Sequence, residues 1–480
     1  MRKLFLLIIL VFPCIAVAGS SKEVTLQEVM DAGLPILTIT TVNGEEPTFE
    51  TSKPPQGCIG LSIKNATKVP ARLTISFDGT ELYDSGDYVE GKSGLTVKVR
   101  GNTSAFGHKK PYKLKLQKKA DLLCRGDKKF NDKNWALIRD EKLRAKVGLK
   151  ANELLGLQWT PAYEYVNLMF NGEYRGVYML VETVDRNVSC RLNVAETGYI
   201  FENDAYWWNE DKYIPSSLSS SVQYTYKYPD SDKVSEEQHT YIKNLVSQLE
   251  NSFKNGTYTD YIDVSSFANW ILCHDLLGCK DGAGSNMFLT KYDNTAETRV
   301  MMANLWDFDS AFSAERSLKW DAAHNRTIFK LLFNSTDQSF VRTYKRRWDE
   351  LKSTLFSQID AYLADYANSA ECTALIQSLI LDSRKWNNTT ISVMSEIDNI
   401  RQWFTTRKDW LEQNIHKLKG YKKLGDVNDD NKTDQMDLNA IVCHIMGDTP
   451  GGFNEYAADV NNDGEVNVKD VVVFVKKFCK

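Results

Sequence analysis

Residues 163–182, YEYVNLMFNGEYRGVYMLVE, decide the fold of this chain. Two β-prone runs, Tyr163 to Phe170 and Gly176 to Glu182, flank the segment Asn171-Gly172-Glu173-Tyr174-Arg175. Asn-Gly readily adopts the left-handed backbone of a tight turn, so the pattern predicts a hairpin of two antiparallel strands. A β-rich environment is therefore expected around it.

The chain before this hairpin continues the β pattern. Asn43-Gly44 follows the β-prone run 35–41 and favours another hairpin, and Asp78-Gly79 follows the run 72–77 in the same way. One helix is expected in this region, between Leu143 and Leu157, where apolar or small residues recur at helical spacing.

The chain after Glu236 is predicted to be mainly helical. The serine-rich and polar stretch 215–235 is expected to form a loop. Helices are expected at residues 267–277, 340–366 and 397–418, and two short strands at 286–292 and 299–303. A β-rich part (21–200) followed by a helical part (236–420) predicts a two-lobed α+β body spanning residues 19–420.

The composition excludes several classes of protein. The chain has 480 residues, and 59 basic against 63 acidic side chains give a formal net charge of −4, which offers no general attraction to nucleic acid. Hydrophobic residues at 42% and aromatic residues at 11% are enough for large cores, so a disordered or fibrous protein is excluded. No nucleic-acid partner is expected.

The N-terminus predicts export. Arg2-Lys3, an apolar run and Ala16-Val17-Ala18 have the order of a secretory signal peptide, assigned here to residues 1–18. A lipid anchor on Cys14 is disfavoured because Pro13 precedes it. No later stretch is long and apolar enough to cross a bilayer, so no transmembrane segment is expected. The mature protein is predicted to be secreted, or periplasmic or surface-bound, in a bacterium.

Residues 421–480 are predicted to form a separate unit with two Ca²⁺ loops. Each twelve-residue loop places oxygen-bearing side chains at positions 1, 3, 5, 9 and 12 and a backbone carbonyl at position 7, which suits the six to eight oxygen ligands of Ca²⁺. The first loop supplies Asp426, Asn428, Asp430, the carbonyl of Lys432, Asp434 and Asp437. The second supplies Asp459, Asn461, Asp463, the carbonyl of Glu465, Asn467 and Asp470.

Polar residues in the body suggest phosphoryl transfer, which needs a carboxylate for the attacking hydroxyl and oxygen ligands for Mg²⁺. Asp281 and Asn286 lie five residues apart before a predicted strand, and Asp307 and Asp309 follow the next one. Each also has a simple structural alternative, as a turn or a helix cap.

Two further segments are candidates by chemistry. Lys113 and Lys115 share one face of a predicted strand, where a lysine can hold phosphates or simply be solvated. Glu182 ends a buried-looking strand, where a connection between lobes is possible, or it is a surface strand end.

Several of these segments together resemble the CotH family of secreted and spore-coat atypical protein kinases, over roughly residues 34–418. The segments that carry the resemblance are Val99 to Ser104, Lys109 to Leu116, Asn134 to Leu137, Leu168 to Tyr178, Asp281 to Asn286, and Leu305 to Asp309. The resemblance implies a divergent, two-lobed protein-kinase-like fold. It also implies transfer of the ATP γ-phosphate to Ser or Thr of protein substrates.

The resemblance assigns roles by position. Asp281 would be the catalytic aspartate, Asn286 and Asp307 would hold Mg²⁺ (or Mn²⁺), and Asp309 would be a second ligand or a support. Lys115 is the first choice for the phosphate-binding lysine, and Lys113 and Lys110 are its rivals. The remaining residues assigned to the nucleotide site are Arg100, Asn102 and Glu182.

The tail resembles the dockerin type I repeat, an EF-hand-like, all-α module. This implies Ca²⁺ binding and docking to a cohesin-like or other partner protein. Asn431 stands at the turn position where the second loop has Gly464, so weaker binding is expected in the first loop. The alternative for the whole chain is a non-catalytic exported surface, adhesion or scaffold protein. A glycoside hydrolase is disfavoured, because no pair of acids is identifiable as acid and nucleophile.

Overall fold

The computed structural model describes residues 23–280, 284–418, 424–428, 430, 432–451, 453–461 and 465–479. The predicted signal peptide therefore lies outside the described residues. Within them the body is α+β as predicted, with a strand-rich first half and a helix-rich second half, followed by a small helical unit.

The strands lie almost entirely in the first 230 residues. They are β1 (Ile36–Thr41), β2 (Glu50–Ser52), β3 (Ser62–Lys64), β4 (Val69–Phe77), β5 (Thr80–Asp84), β6 (Leu95–Val99), β7 (Tyr112–Ala120), β8 (Asp132–Ile138), β9 (Tyr163–Phe170), β10 (Glu173–Glu182), β11 (Tyr199–Asp204), β12 (Tyr213–Ile214), β13 (Gln223–Tyr228), β14 (Met287–Lys291) and β15 (Val300–Met302).

The helices dominate the remainder. They are α1 (Leu26–Asp31), α2 (Arg144–Leu154), α3 (Glu236–Asn255), α4 (Val264–Leu277), α5 (Thr327–Phe333), α6 (Ser339–Leu351), α7 (Leu355–Ala367), α8 (Ala370–Trp386), α9 (Val393–Asn414), α10 (Gln435–Ile445), α11 (Glu455–Ala458) and α12 (Val468–Phe478).

The first sheet closes on itself. Its order is β1-β9-β10-β8-β7-β6-β4-β5, and β1 also pairs with β4, which completes a barrel. Alternate side chains of its strands point inward and form an apolar interior. The opposite face of β7 carries Lys113 and Lys115, so these lysines lie outside the barrel. The interior includes Leu37, Leu73, Val97, Leu114 and Leu180.

The hairpin predicted at Asn171-Gly172 is confirmed, since β9 and β10 pair antiparallel from Phe170 and Glu173 onward. The turn at Asp78-Gly79 is confirmed too, and joins β4 to β5. The hairpin predicted at Asn43-Gly44 is wrong. Those residues form a short 3-10 turn, and β1 pairs with the distant strands β4 and β9 rather than with β2.

A second sheet, of order β12-β13-β11-β14-β15, contacts helices α3 and α4 of the helical half. The prediction of a loop at 215–235 is wrong here, because β13 lies inside that stretch and pairs with both β11 and β12. The two predicted short strands are confirmed as β14 and β15. The single helix expected at 340–366 is two helices, α6 and α7.

The C-terminal unit has a core of its own. Each predicted loop leads into a helix, α10 or α12, and Val427, Leu438, Ile441, Val460 and Phe474 are buried together. Within the described residues, no helix is long and apolar enough to cross a membrane.

Candidate active site

A cleft of about 1060 Å³ opens where the barrel, the second sheet and the helical half meet. Loop 100–104 after β6, the connection 139–144 between β8 and α2, and the segments 284–286 and 306–309 all line it. Five of the residues predicted for the site are in this lining: Arg100, Asn102, Asn286, Asp307 and Asp309. The fold therefore gathers side chains that are up to 209 positions apart in the sequence.

Asn286 and Asp307 meet directly in the cleft. The side-chain amide of Asn286 donates to Oδ2 of Asp307 over 3.2 Å. Asn286 is fixed at the start of β14, because its backbone N–H donates to Oε1 of Glu202 on β11 over 2.8 Å. Asn286 and Asp307 both have left-handed backbones, with φ of 62° and 64°. Strained backbone of this kind is concentrated at functional sites, and Asn and Asp tolerate it best among residues with a side chain.

Asp309 lies beside three arginines. The guanidinium of Arg144 donates to the backbone carbonyl of Asp309. Desolvation by the cleft walls raises the pKa of the Asp309 carboxyl, although Arg139, Arg144 and Arg100 oppose this. The side chain remains within reach of solvent. Asn286 and Asp307 are in contact, and Asp309 lines the same cleft. Their side chains carry oxygens of the type that Mg²⁺ prefers, so the residue types fit a metal site.

Arg100 places a positive charge against the same carboxylates. Its guanidinium lies over the ring of Trp306, with 5.7 Å between Cζ and the ring centroid. Burial lowers the pKa of Arg100, while the charges of Asp307, Asp309 and Glu202 favour its ionised form. Because an arginine keeps its charge in proteins, the cleft contains a fixed cation next to the acids.

Loop 100–104 needs a glycine at its turn. Gly101 has φ of 85°, and a Cβ there would lie 2.3 Å from Oγ of Ser104. Asn102 is held by a hydrogen bond of 2.6 Å from Ser62 to its side-chain oxygen. The loop is thus pinned from β3 where it borders the cleft.

The three candidate lysines differ in environment, and none belongs to the described lining of the cleft. Lys110 donates to the carbonyls of Ala105 and Gly107, over 3.1 and 3.4 Å, so it braces the loop. Lys115 is exposed. Lys113 is half-buried, and burial lowers its pKa against the opposing charge of Asp185.

Glu182 is buried at the end of β10 and does not itself belong to the described lining of the cleft, although its neighbour Val181 does. Its two oxygens accept from Arg125, over 2.8 Å, and from the backbone N–H of Ala162, over 3.0 Å. These contacts give it a structural role in joining β10 to its neighbours. The predicted catalytic residue Asp281 lies outside the described residues.

The sequence did not predict an ion pair that joins two strands of the second sheet. Nζ of Lys227 on β13 lies 2.8 Å from Oε2 of Glu202 on β11. Burial alone would lower the pKa of Lys227, but Glu202 and Asp204 outweigh it and raise that pKa. Because Glu202 also holds the N–H of Asn286, the pair connects the second sheet to the cleft. The aromatic and β-branched residues of Gln223–Tyr228 are the signal that could have revealed this strand.

The tail loops hold their acids through backbone hydrogen bonds. Oδ1 of the buried Asp437 accepts from the N–H groups of Val427 and Asn428, and Oδ2 accepts from Asp434. Asp470 repeats the pattern with Asn461 and Asn467. Both loops therefore curl around an acid at position 12, which fits a Ca²⁺ loop. Asp463 lies outside the described residues.

Other residues of the two loops make hydrogen bonds within the loop or at the start of the helix that follows. Asp426 is buried and accepts from the N–H of Asp430, and Lys432 donates its N–H to Asp430. Asp434 and Asn467 cap α10 and α12. The described part of the chain contains no cluster of three or more His, Cys, Asp or Glu side chains drawn together as metal ligands. Asp459 and Glu465 complete the second loop in sequence.

Comparison with protein families identifies the body. The CotH kinase protein family matches residues 97–411. The chain belongs to this family. The dockerin type I domain matches residues 424–478, so a CotH kinase-like body is followed by a dockerin domain. The body has the kinase-like α+β fold that the sequence resemblance implied.

Two solved kinase structures have low similarity to this CotH protein. A Helicobacter pylori proinflammatory kinase, CtkA, is 11% identical, covers 58% of this chain and 92% of its own, and has a TM-score of 0.24. The Golgi casein kinase is 10% identical, covers 82% of this chain and 77% of its own, and has a TM-score of 0.26. Neither likeness, at these TM-scores, adds to the assignment. Curated proteins give no significant match.

Proposed function

We propose that this protein is an exported atypical kinase that transfers the γ-phosphate of ATP to Ser or Thr of protein substrates. The observation that supports it most is the contact between Asn286 and Asp307 near Arg100 in the cleft. Carboxylate, amide and guanidinium groups are the ones that phosphoryl transfer needs. A scaffold has no requirement for this convergence.

The roles follow from position and chemistry. Asn286 and Asp307 would hold Mg²⁺ or Mn²⁺, with Asp309 as a further ligand or a support. The bound ion would neutralise phosphate charge. Asp281 would accept the proton of the acceptor hydroxyl, and Arg100 and loop 100–104 would orient the phosphates.

Among the lysines, we favour Lys113 over Lys115 as the phosphate partner. Lys113 is half-buried and close enough to Arg100 for the two positive charges to repel each other, which a bound phosphate would relieve. Lys115 is exposed. A desolvated ammonium gains more from an anionic ligand than a solvated one. Lys110 is already engaged with loop carbonyls.

The tail would bind Ca²⁺ in both loops and dock the enzyme to a cohesin-like partner outside the cell. Position-12 acids held by the backbone favour this, because the loop is already curved around the site. The proposed signal peptide is consistent with the same compartment.

The kinase proposal is tested by incubating the protein with labelled ATP, Mg²⁺ or Mn²⁺ and a serine-rich protein. We expect metal-dependent label transfer that Asp281→Ala and Asp307→Ala both abolish. Asp398→Ala is the control, since Asp398 is exposed on α9 outside the described lining of the cleft. Equal transfer by wild type and both cleft variants, or no transfer with either metal, would contradict the proposal.

A further inference from the structure

The connection between β8 and α2 forms a basic wall of the cleft. Arg139 and Lys142 are exposed in the lining, and Arg144 is half-buried at the start of α2. The wall begins at Asp309. Arg144 donates a hydrogen bond to the backbone carbonyl of Asp309, and the charge of Arg139 attracts its carboxylate. The cations of this wall thus begin next to Asp309 and continue along the lining of the same cleft.

The acids of the same wall are already engaged. Glu141 lies 2.9 Å from Nζ of the buried Lys109, and Asp382 lies 2.5 Å from the same ammonium. Asp140 is buried and accepts from two backbone N–H groups and from a tyrosine hydroxyl. All three carboxyl groups thus have partners of their own, and none of them is bonded to Lys142.

A further cation of the lining, Arg326, comes from a different segment of the chain. Arg326 is exposed, and its guanidinium packs so closely on Gly284 that a Cβ there would lie 2.7 Å from Cζ. Within the part of the chain that the structure describes, neither Arg326 nor Lys142 makes an ion pair. Arg139 differs from these cations in having a partner, since its Nε lies 3.2 Å from Oε1 of Glu141, the oxygen that also contacts Lys109. Lys142 and Arg326 line the same cleft, so an anionic ligand bound there would be attracted by both charges.

The lining next to this wall includes several neutral polar side chains. Because Glu141 and Asp382 share Lys109, the wall adjoins the end of α8, and the lining continues there through Ser383, Asn388 and Thr389. Hydroxyl and amide groups suit the backbone of an extended peptide, which needs both donors and acceptors. The nucleotide phosphates, by contrast, are proposed to lie at loop 100–104.

We infer that Arg139, Lys142 and Arg326 select protein acceptors in which acidic residues flank the phosphorylated Ser or Thr. This inference rests on the proposed kinase function and specifies its substrate class. A metal held by Asp307 and Asp309 would offset the negative charge of these two side chains, and the three cations would then be in excess in the lining. Complementary charge of this kind mainly determines which partner binds and how fast.

The test uses two matched peptides, one with Glu and one with Lys on both sides of a central Ser, and the full-length protein with Mg-ATP. We expect the wild type to phosphorylate the Glu peptide at least about fivefold more efficiently. Lys142→Glu combined with Arg326→Glu should reverse the preference through the KM for peptide and leave the KM for ATP unchanged. Lys92→Glu, at an exposed turn outside the described lining, is the control.

The wild-type peptide preference and the metal-dependent ATP turnover test substrate selection and kinase activity separately. Equal use of both peptides by the wild type overturns the inference and leaves the kinase function intact. A double variant that raises the KM for ATP but keeps the peptide preference also overturns it, since the cations then bind nucleotide. No phosphorylation of either peptide, together with no metal-dependent ATP turnover, overturns the kinase function and the inference with it.

Discussion

Carboxylates in the tail loops and carboxylates in the cleft are held in opposite ways. Asp437 accepts from backbone N–H groups no more than ten residues away. Asp307 and Asp309 instead meet Asn286, Arg144 and Arg100, which come from three distant segments. A loop that is shaped by its own backbone can form a metal site locally, whereas the cleft exists only once the whole body has folded.

The largest expected effect comes from removing charge in the cleft without changing shape. Asp307→Asn should lower metal-dependent phosphate transfer about 100- to 1,000-fold, because a preorganised charge is lost where phosphate charge must be balanced. Stability should change by less than about 1 kcal/mol, since the side chain is exposed. Transfer assays and denaturant unfolding measure the two effects.

Asp398→Asn on α9 is the matched control and should leave both properties unchanged. An Asp307→Asn protein that keeps more than about a tenth of wild-type transfer would show that the cleft acids are not poised for catalysis.

The second expected effect is on the fold of the tail. Asp437→Ala leaves three backbone N–H groups without their acceptor, and each such loss costs about 1–3 kcal/mol when the group stays buried. We expect the tail to be destabilised by about 3 kcal/mol and the first Ca²⁺ site to be lost. Hydrogen exchange of the full chain and calorimetric Ca²⁺ titration check this.

Asp448→Ala provides the comparison, because Asp448 is an exposed acid beyond α10. Two intact Ca²⁺ sites in Asp437→Ala would exclude the predicted loop numbering.

Local patterns in the sequence predicted local structure. The Asn171-Gly172 hairpin was predictable because its strands pair with each other, and the tail loops because twelve consecutive residues specify them. Asn43-Gly44 gave the same signal, yet β1 pairs with β4 and β9. Barrel closure is a long-range event that no turn residue specifies.

Long-range contacts also explain what was missed in the site. The sequence indicated which residue types belong in the cleft, such as Asn286 and Asp307, but not that Glu202 would hold Asn286 in place. The pair Lys227–Glu202 was hidden because a serine-rich run made β13 resemble a loop. Glu182 had the right composition for a functional strand end, and only the structure shows its partner Arg125.

Removing Ca²⁺ should destabilise the tail and leave the stability of the body unchanged. All 11 tryptophans precede the tail, so tryptophan fluorescence reports on the body alone. We expect a chelator to increase proteolysis and hydrogen exchange in residues 424–478, because a ligand at 100 times its Kd stabilises by about 2.7 kcal/mol. The fluorescence-detected unfolding midpoint should stay the same. A fall in that midpoint would show that the body also depends on Ca²⁺.

The smallest predicted effect distinguishes two lysines on one strand face. Lys113→Ala should raise the KM for ATP about tenfold, equivalent to about 1.4 kcal/mol, because a half-buried ammonium interacts with phosphate through a medium of low polarity. Lys115→Ala removes an equally charged but solvated group two residues away and should change the KM less than about twofold. Initial rates at varied ATP measure both. Equal effects would mean that burial does not decide which lysine reaches the nucleotide, and a larger effect for Lys115→Ala would restore it as the phosphate partner.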